Sequence, residues 1–142
     1  MNEKIKKILS KYKTIAMVGV SKDNKKPSAI VMRYMQKYGF KVIPVNPSAK
    51  GQKILGEEVF ANLKDIKIPV DIVDVFRPSR EAPNYAEDSI KIGAKVFWLQ
   101  LGISNSKAKE IVEANDIEYI ENRCTKIEYQ KNFLKINLAF SV

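Results

Sequence analysis

The stretch from Thr14 to Ser21 reads Thr-Ile-Ala-Met-Val-Gly-Val-Ser, and it decides the fold. Its short apolar run contains β-branched residues, which predicts a buried strand that ends at Gly19 in a tight turn. The polar and basic residues 22–26 follow, and Pro27 is placed to begin a helix. Unpaired N–H groups and the helix dipole both point at such a turn. The stretch therefore predicts an anion-binding site between a strand and a helix.

The rest of the chain alternates apolar runs with segments of helical spacing. We predict further strands at 40–45, 70–76, 95–100 and 117–120, and helices at 3–12, 27–38, 80–92 and 104–115, the last capped by Ser104. A polar loop is expected at 49–58 and a short helical turn at 59–66. This alternation indicates βαβ units. We therefore expect a doubly wound α/β fold with a mainly parallel five-stranded sheet and helices on both faces.

The length of 142 residues suits one domain, so we expect a single domain over 1–142. Residues from about 130 to 142 are expected to form a C-terminal tail or arm. Apolar and polar residues alternate in this segment, which is compatible with three interpretations: a tail strand, a packing arm or an oligomer contact. No apolar stretch approaches the roughly 18 residues of a membrane span. The N-terminus lacks a signal-type apolar core, which favours a cytoplasmic location.

The chain has one cysteine, Cys124, and no histidine. Disulfides within the chain, thiolate metal clusters, His-ligated zinc and His-dependent catalytic triads are therefore excluded. Asp71 and Asp74 lie three apart in a predicted strand and so on opposite faces, which disfavours an acid/base pair. We expect Asp74 to anchor the neighbouring turns by hydrogen bonds. No catalytic residue is predicted, and enzymatic activity stays undecided.

The basic residues follow the ends of the predicted strands. The formal net charge is +9. This charge is compatible with a solvated basic surface, or with an anionic partner that is either nucleic acid or a multiply phosphorylated small molecule. Basic side chains follow four of the five strands: Lys25, Lys26, Lys50, Arg77, Arg80 and Arg123. Ligands of open parallel sheets bind at the carboxyl ends of the strands. The pattern therefore favours an anionic ligand at that edge.

An ordinary NAD site is not predicted. The dinucleotide fingerprint needs three glycines and an acidic residue after the second strand. Here only Gly19 occupies the first turn, and Asn46-Pro47 follows the second strand. A phosphate-bearing nucleotide that is not held through its ribose diol fits better.

Five blocks of sequence, in order, resemble one known family. They are 18–21 with 26–28, then 42–47, 70–77, 93–102 and 122–124. Together they look like the small stand-alone CoA-binding proteins, which are similar to the N-terminal CoA-binding domain of the succinyl-CoA synthetase α subunit. The resemblance covers about Ile8 to Tyr129. It implies a Rossmann-like domain that holds coenzyme A across the strand ends.

The resemblance also implies roles for individual residues. Gly19, Val20 and Ser21 would approach the pyrophosphate or the start of the pantetheine arm, and Lys25 and Lys26 would face phosphates. The implied ligand-binding set is Gly19, Val20, Ser21, Lys25, Lys26, Pro27, Ser28, Val45, Asn46, Pro47, Lys50, Phe76, Arg77, Arg80, Gln100 and Arg123. Within it, residues 45–47 with Lys50 would line the 3′-phosphate region, residues 76, 77 and 80 the adenine and phosphate side, and Gln100 and Arg123 the thiol end.

The chain departs from that family in two places. Lys26 stands where many members carry Arg, which keeps the charge but loses the bidentate fork. Tyr129 stands where a His often occurs. The phosphohistidine and the catalytic domains of the synthetase have no counterpart here, so synthetase activity is not implied.

The sequence thus predicts a CoA- or acyl-CoA-binding protein with a non-catalytic sensor, carrier or accessory role. One alternative is a subunit of an acyl-CoA- or nucleotide-using transferase or ligase. The other is a basic nucleic-acid-binding module, which is disfavoured because no motif of interleaved aromatic and basic residues occurs. A homo-oligomer or a partner subunit remains open.

Overall fold

The computed structural model describes residues 1–135. Its main sheet has five parallel strands, confirming the predicted α/β fold. In chain order the strands are β1 (Thr14–Val18), β2 (Lys41–Val45), the short β3 (Lys53–Ile54) and β4 (Glu57–Glu58), β5 (Ile72–Val75), β6 (Val96–Leu99) and β7 (Glu118–Ile120). The sheet order is β2-β1-β5-β6-β7, whereas β3 and β4 form a separate antiparallel pair.

Helices cover both faces of the sheet. They are α1 (Asn2–Lys11), α2 (Pro27–Lys37), α3 (Ala82–Lys91), α4 (Ser106–Glu113) and α5 (Thr125–Tyr129), with 3₁₀ turns at Pro47–Ala49, Leu63–Asp65 and Ser79–Glu81 and a π-helical turn at Gln130–Leu134. One apolar layer joins α1 and α2 to the sheet, and a second layer joins α3 and α4 to its other face. Pro27 is the first residue of α2, as the sequence predicts.

Three local expectations are wrong. The loop expected at 49–58 contains the β3–β4 pair, because two-residue strands leave no periodic signal. The helical turn expected at 59–66 is limited to Leu63–Asp65. Asn105 rather than Ser104 caps α4, and its side chain accepts a hydrogen bond from the Ala108 N–H at 2.9 Å.

Pro44 explains why β2 is an edge strand. Proline has no N–H to donate to a neighbouring strand, so it is tolerated where that side of the strand faces outwards. Phe60 lies on this outer side, where its N–H donates to the Pro44 carbonyl and its carbonyl accepts from the Asn46 N–H. The inner side of β2 pairs with β1, with Pro44 in register with Met17.

The strand order creates a crevice at one edge of the sheet. From β1 the chain moves outwards to β2 and then crosses back to β5 on the other side of β1. Connections that leave adjacent strands in opposite directions open a space above their carboxyl ends, and ligands of doubly wound sheets bind there. A ligand-binding site is therefore expected at the turns after β1, β2 and β5.

The expected C-terminal tail is described only in part. Residues 130–134 form the π-helical turn, and the Phe133 ring stacks on Tyr129 with centroids 4.7 Å apart. The remainder of that prediction, residues 136–142, lies outside the described range. Within residues 1–135, no helix combines the length and apolar character needed to cross a bilayer.

Candidate functional site

A cleft of about 410 Å³ opens at the carboxyl ends of β1 and β2. It lies at the crevice that the strand order creates. Its lining comes from the ends of these strands, from the segment before β5 and from the residues after β5: Val18, Gly19, Val45, Asn46, Pro47, Ser48, Ala61, Asn62, Leu63, Arg77, Glu81, Tyr85 and Asp88. The cleft is therefore built from four separate parts of the chain.

Gly19 lines this cleft in a backbone conformation that favours glycine. Its φ is +89°. A Cβ at this position would lie 2.8 Å from the Phe76 carbonyl oxygen and 3.0 Å from Arg77 Cδ. The Gly19 N–H also donates to the Val45 carbonyl at 2.8 Å. Glycine thus lets the turns after β1 and β5 approach each other closely.

The loop between β1 and α2 is fixed by its own hydrogen bonds. The Ser21 N–H donates to Ser28 Oγ at 3.0 Å, and Ser21 Oγ accepts from the Asp23 N–H at 3.0 Å. The side chains of Lys25 and Lys26 are exposed on this loop. Their charges are therefore presented to solvent beside the first turn of α2, although neither residue belongs to the cleft lining in the described structure.

Asn46 joins the turns after β1 and β2. Its Nδ2 donates to the carbonyl of the buried Val20 at 2.8 Å, and its Oδ1 accepts from the N–H and the Oγ of Ser48 at 3.0 and 2.7 Å. An aspartate would lack the donor that reaches Val20. Asn46 therefore holds the two turns together on one side of the cleft.

One wall of the cleft carries an ion pair and a second carboxyl group. Arg77 Nε and Nη2 donate to the two carboxylate oxygens of Glu81 at 3.1 and 2.8 Å, and the Tyr85 hydroxyl donates to Glu81 Oε1 at 3.3 Å. The hydrogen bonds from Arg77 lower the pKa of Glu81, and those to Glu81 raise the pKa of Arg77. Burial is the main cause that raises the pKa of Tyr85. Asp88 lines the same wall.

The sequence analysis missed these acidic and aromatic residues. It selected Arg77 and Arg80, but Glu81, Tyr85 and Asp88 contribute to the lining. The spacing of four between residues 77, 81 and 85 is compatible with contact between their side chains, but the spacing alone does not show that they face the strand ends. The cleft consequently holds two carboxyl groups beside one guanidinium, a less basic composition than the strand-end pattern suggests.

The sixteen residues that the sequence singled out differ in where the structure places them. Those that line the cleft are Gly19, Val45, Asn46, Pro47 and Arg77. Val20 and Ser28 are buried and support the first turn through the hydrogen bonds described above. Phe76 is half-buried and packs against the core. Lys50 and Arg80 are exposed and lie outside the lining within residues 1–135.

Gln100 and Arg123 are not among the residues that line this cleft. Gln100 is buried, and its Nε2 donates to both carboxylate oxygens of Asp74 and to Thr125 Oγ1. Arg123 pairs with the buried Glu128 across 3.6 Å and lines a different cavity. Their assignment to the thiol end of the ligand stays a prediction.

Asp74 lies at the centre of a buried polar cluster. It accepts hydrogen bonds from Gln100, which follows β6, and from Thr125, which begins α5. This arrangement confirms the prediction that Asp74 anchors neighbouring turns. Trp98, also fully buried, donates its Nε1–H to the Arg123 carbonyl at 2.7 Å. Burial raises the pKa of the nearby Cys124 thiol, which disfavours the reactive thiolate.

The chain is similar to a protein family, to a curated protein and to a solved structure. A family model described as CoA binding domain matches residues 13–130. The uncharacterized protein YneT of Bacillus subtilis is 38% identical over 125 residues, which cover 88% of this chain and 91% of that protein. A solved structure from Thermus thermophilus superposes with a TM-score of 0.89 at 34% identity and covers 94% of this chain and 99% of that one.

A third relative is a much longer enzyme. An ADP-forming acetate–CoA ligase of Methanocaldococcus jannaschii is 25% identical over 143 aligned positions. The match covers 95% of this chain but 20% of the ligase. This chain therefore corresponds to one part of that enzyme.

Proposed function

The chain belongs to the CoA-binding domain family, and from this premise we propose that it binds coenzyme A or an acyl-CoA at the carboxyl ends of β1, β2 and β5. The observation that carries the proposal is the cleft bounded by Gly19, Asn46 and Arg77. It occupies the position in which doubly wound sheets hold nucleotides.

The distribution of charge suggests how the ligand is held. The cleft itself contains one guanidinium and two carboxyl groups, whereas Lys25 and Lys26 lie on the exposed loop before α2. We assign the phosphates to contacts with these lysines, with Arg77 and with N–H groups at the start of α2, because cations and a helix N-terminus favour anions. Of the other predicted residues, those that stay candidates for ligand contact are Gly19, Ser21, Pro27, Val45, Asn46, Pro47, Lys50, Phe76, Arg80 and Arg123, whereas the Gln100 side chain is buried against Asp74.

We propose a non-catalytic accessory, carrier or sensor role for this binding. Neither Arg77 nor the carboxyl groups of the cleft form an arrangement with an activated nucleophile. The buried Asp74 is bonded to Gln100 and Thr125 and has no access to a ligand in the cleft. A partner subunit supplying catalytic groups is the alternative that the ligase match favours, since this chain spans a fifth of that enzyme.

Calorimetry of the full chain with CoA, acetyl-CoA, 3′-dephospho-CoA and NAD tests the proposal. We expect saturable binding of CoA, weaker binding of the 3′-dephospho form because one charged contact is lost, and no comparable binding of NAD. No detectable CoA binding at millimolar ligand overturns the proposal. Turnover of acetyl-CoA, ADP and phosphate by the chain alone would overturn the non-catalytic role.

A further inference from the structure

Arg77 is held at both ends of its side chain. Its Cδ and Cγ lie 3.0 and 3.2 Å from the position that a Cβ on Gly19 would occupy, so the aliphatic stem packs over the glycine turn. Its guanidinium is held by the carboxylate of Glu81 through two hydrogen bonds of 3.1 and 2.8 Å. Few surface arginines are restrained in this way, because surface ion pairs seldom fix both side chains.

The pair leaves part of the guanidinium free. An arginine presents five N–H donors in a rigid plane. Glu81 takes the Nε donor and one donor on Nη2. Among residues 1–135, no hydrogen-bond partner takes the edge formed by Nη1 and the second N–H of Nη2, and this edge matches two oxygens of a phosphate.

Tyr85 restrains the partner of Arg77. Its hydroxyl lies 3.3 Å from Glu81 Oε1, the same oxygen that accepts from Arg77 Nε. Tyr85 is half-buried and belongs to α3, so its ring is fixed by packing against the core layer on that face of the sheet. The three side chains therefore form a chain of contacts from a rigid helix to the cleft.

We propose that Glu81, held by Tyr85, is a positioning residue that presents the free edge of the Arg77 guanidinium to a phosphate group of the bound CoA. This inference rests on the proposed function. It assigns Arg77 the contact with the ligand and Glu81 an effect that passes through Arg77.

If Glu81 neutralises Arg77 and does not position it, Glu81→Gln should change the affinity for CoA in the opposite direction. If Glu81 merely neutralised Arg77, removing its negative charge would strengthen the binding of a polyanion. If Glu81 positions Arg77, Glu81→Gln weakens binding although the net charge of the protein becomes more positive. The direction of the change therefore separates positioning from neutralisation.

The test is calorimetry of CoA binding by the wild-type chain, Glu81→Gln and Tyr85→Phe. We expect Kd to rise about tenfold for Glu81→Gln, which loses the bidentate ion pair, and about two- to threefold for Tyr85→Phe, which loses one hydroxyl–carboxylate hydrogen bond. The control is Glu113→Gln, which makes the same charge change in the exposed Lys109–Glu113 pair of α4. It should leave Kd within about twofold. An unchanged or tighter Kd for Glu81→Gln overturns the inference.

A double-mutant cycle tests whether Glu81 acts through Arg77. We expect Glu81→Gln to cause no further loss when it is added to Arg77→Ala, and a further loss of similar size would overturn the inference. Thermal unfolding of each variant checks that it is folded. Absence of CoA binding by the wild-type chain overturns both this inference and the proposed function. Wild-type binding with an unaffected Glu81→Gln overturns this inference alone.

Discussion

Gln100 donates its side-chain nitrogen to both carboxylate oxygens of Asp74, at 2.7 Å from Oδ1 and 2.9 Å from Oδ2. Thr125 Oγ1 donates to the same carboxylate at 3.2 Å. These bonds favour the ionised form, but complete burial dominates and raises the pKa of Asp74 to about 7. The carboxyl group therefore links the ends of β5 and β6 to α5 and also makes the fold sensitive to pH.

Asp74→Asn should remove this pH dependence. The pKa of Asp74 is higher in the folded chain than the value of about 3.9 of an unfolded aspartate, so the native state retains a proton that the unfolded state releases. The stabilisation is complete below about pH 4 and is lost as pH rises through 7. We expect the wild-type free energy of unfolding to fall relative to Asp74→Asn by at most about 1.4 kcal/mol per pH unit in this window.

Urea denaturation of both proteins between pH 4 and 8 measures this difference. The exposed Asp65→Asn provides a control with the same chemical change. Parallel pH profiles for the wild-type chain and Asp74→Asn would contradict the prediction.

Gly19→Ala should destabilise the fold by about 2–4 kcal/mol, because it adds steric conflict to an unfavourable backbone conformation. The added Cβ meets a backbone oxygen of Phe76 that cannot move freely. Gly56→Ala is the matched control: its φ is +83°, but nothing lies within 4 Å of its Cβ position. Chemical denaturation should show the larger loss for Gly19→Ala, and equal losses would show that the close approach to Phe76 is unimportant.

Asn46→Asp should weaken the connection between the turns after β1 and β2. The substitution keeps the acceptor for Ser48 but replaces the donor to the Val20 carbonyl with a second oxygen, at a cost of about 1–3 kcal/mol. It also adds a negative charge to the cleft. We expect a lower melting temperature and weaker CoA binding without a gain in NAD binding, measured by calorimetry. Unaltered stability would mean that the contact with Val20 contributes little.

Lys26→Ala should reduce CoA affinity by roughly three- to tenfold with little effect on stability, since the side chain is exposed next to the first residue of α2. Lys95→Ala is the control, because Lys95 is exposed and directly precedes β6, at the opposite edge of the sheet from the cleft. Equal effects of both substitutions on Kd would indicate a general influence of net charge. In that case Lys26 makes no specific contact.

The strands could be predicted from sequence because each buried run is apolar and bounded by turn residues. Gly19 and Asn46 could be predicted to line the cleft for a different reason. Each follows the carboxyl end of a parallel strand, which fixes its place at that edge of the sheet. Glu81 and Tyr85 could not, because their exposure to the cleft depends on how α3 is rotated against the sheet. That rotation is set by packing between distant parts of the chain.

Gln100 shows a second limit of prediction from position alone. It follows β6 at the same edge as the cleft, which made it a candidate for ligand contact. The neighbouring strand β5, however, buries Asp74, and a buried carboxyl group requires hydrogen-bond partners. Gln100 supplies them, and this requirement turns its side chain inwards.

The register of β1 has a consequence for synthesis of the protein. Met17 pairs with Pro44 on one side and with Asp74 on the other. A nascent chain that has emerged only as far as β2 therefore leaves one long edge of β1 open, together with the apolar side chains that β5 later covers. Such exposed edges invite aggregation. The ribosome must translate through β5, which ends at Val75, before the first strand has both neighbours.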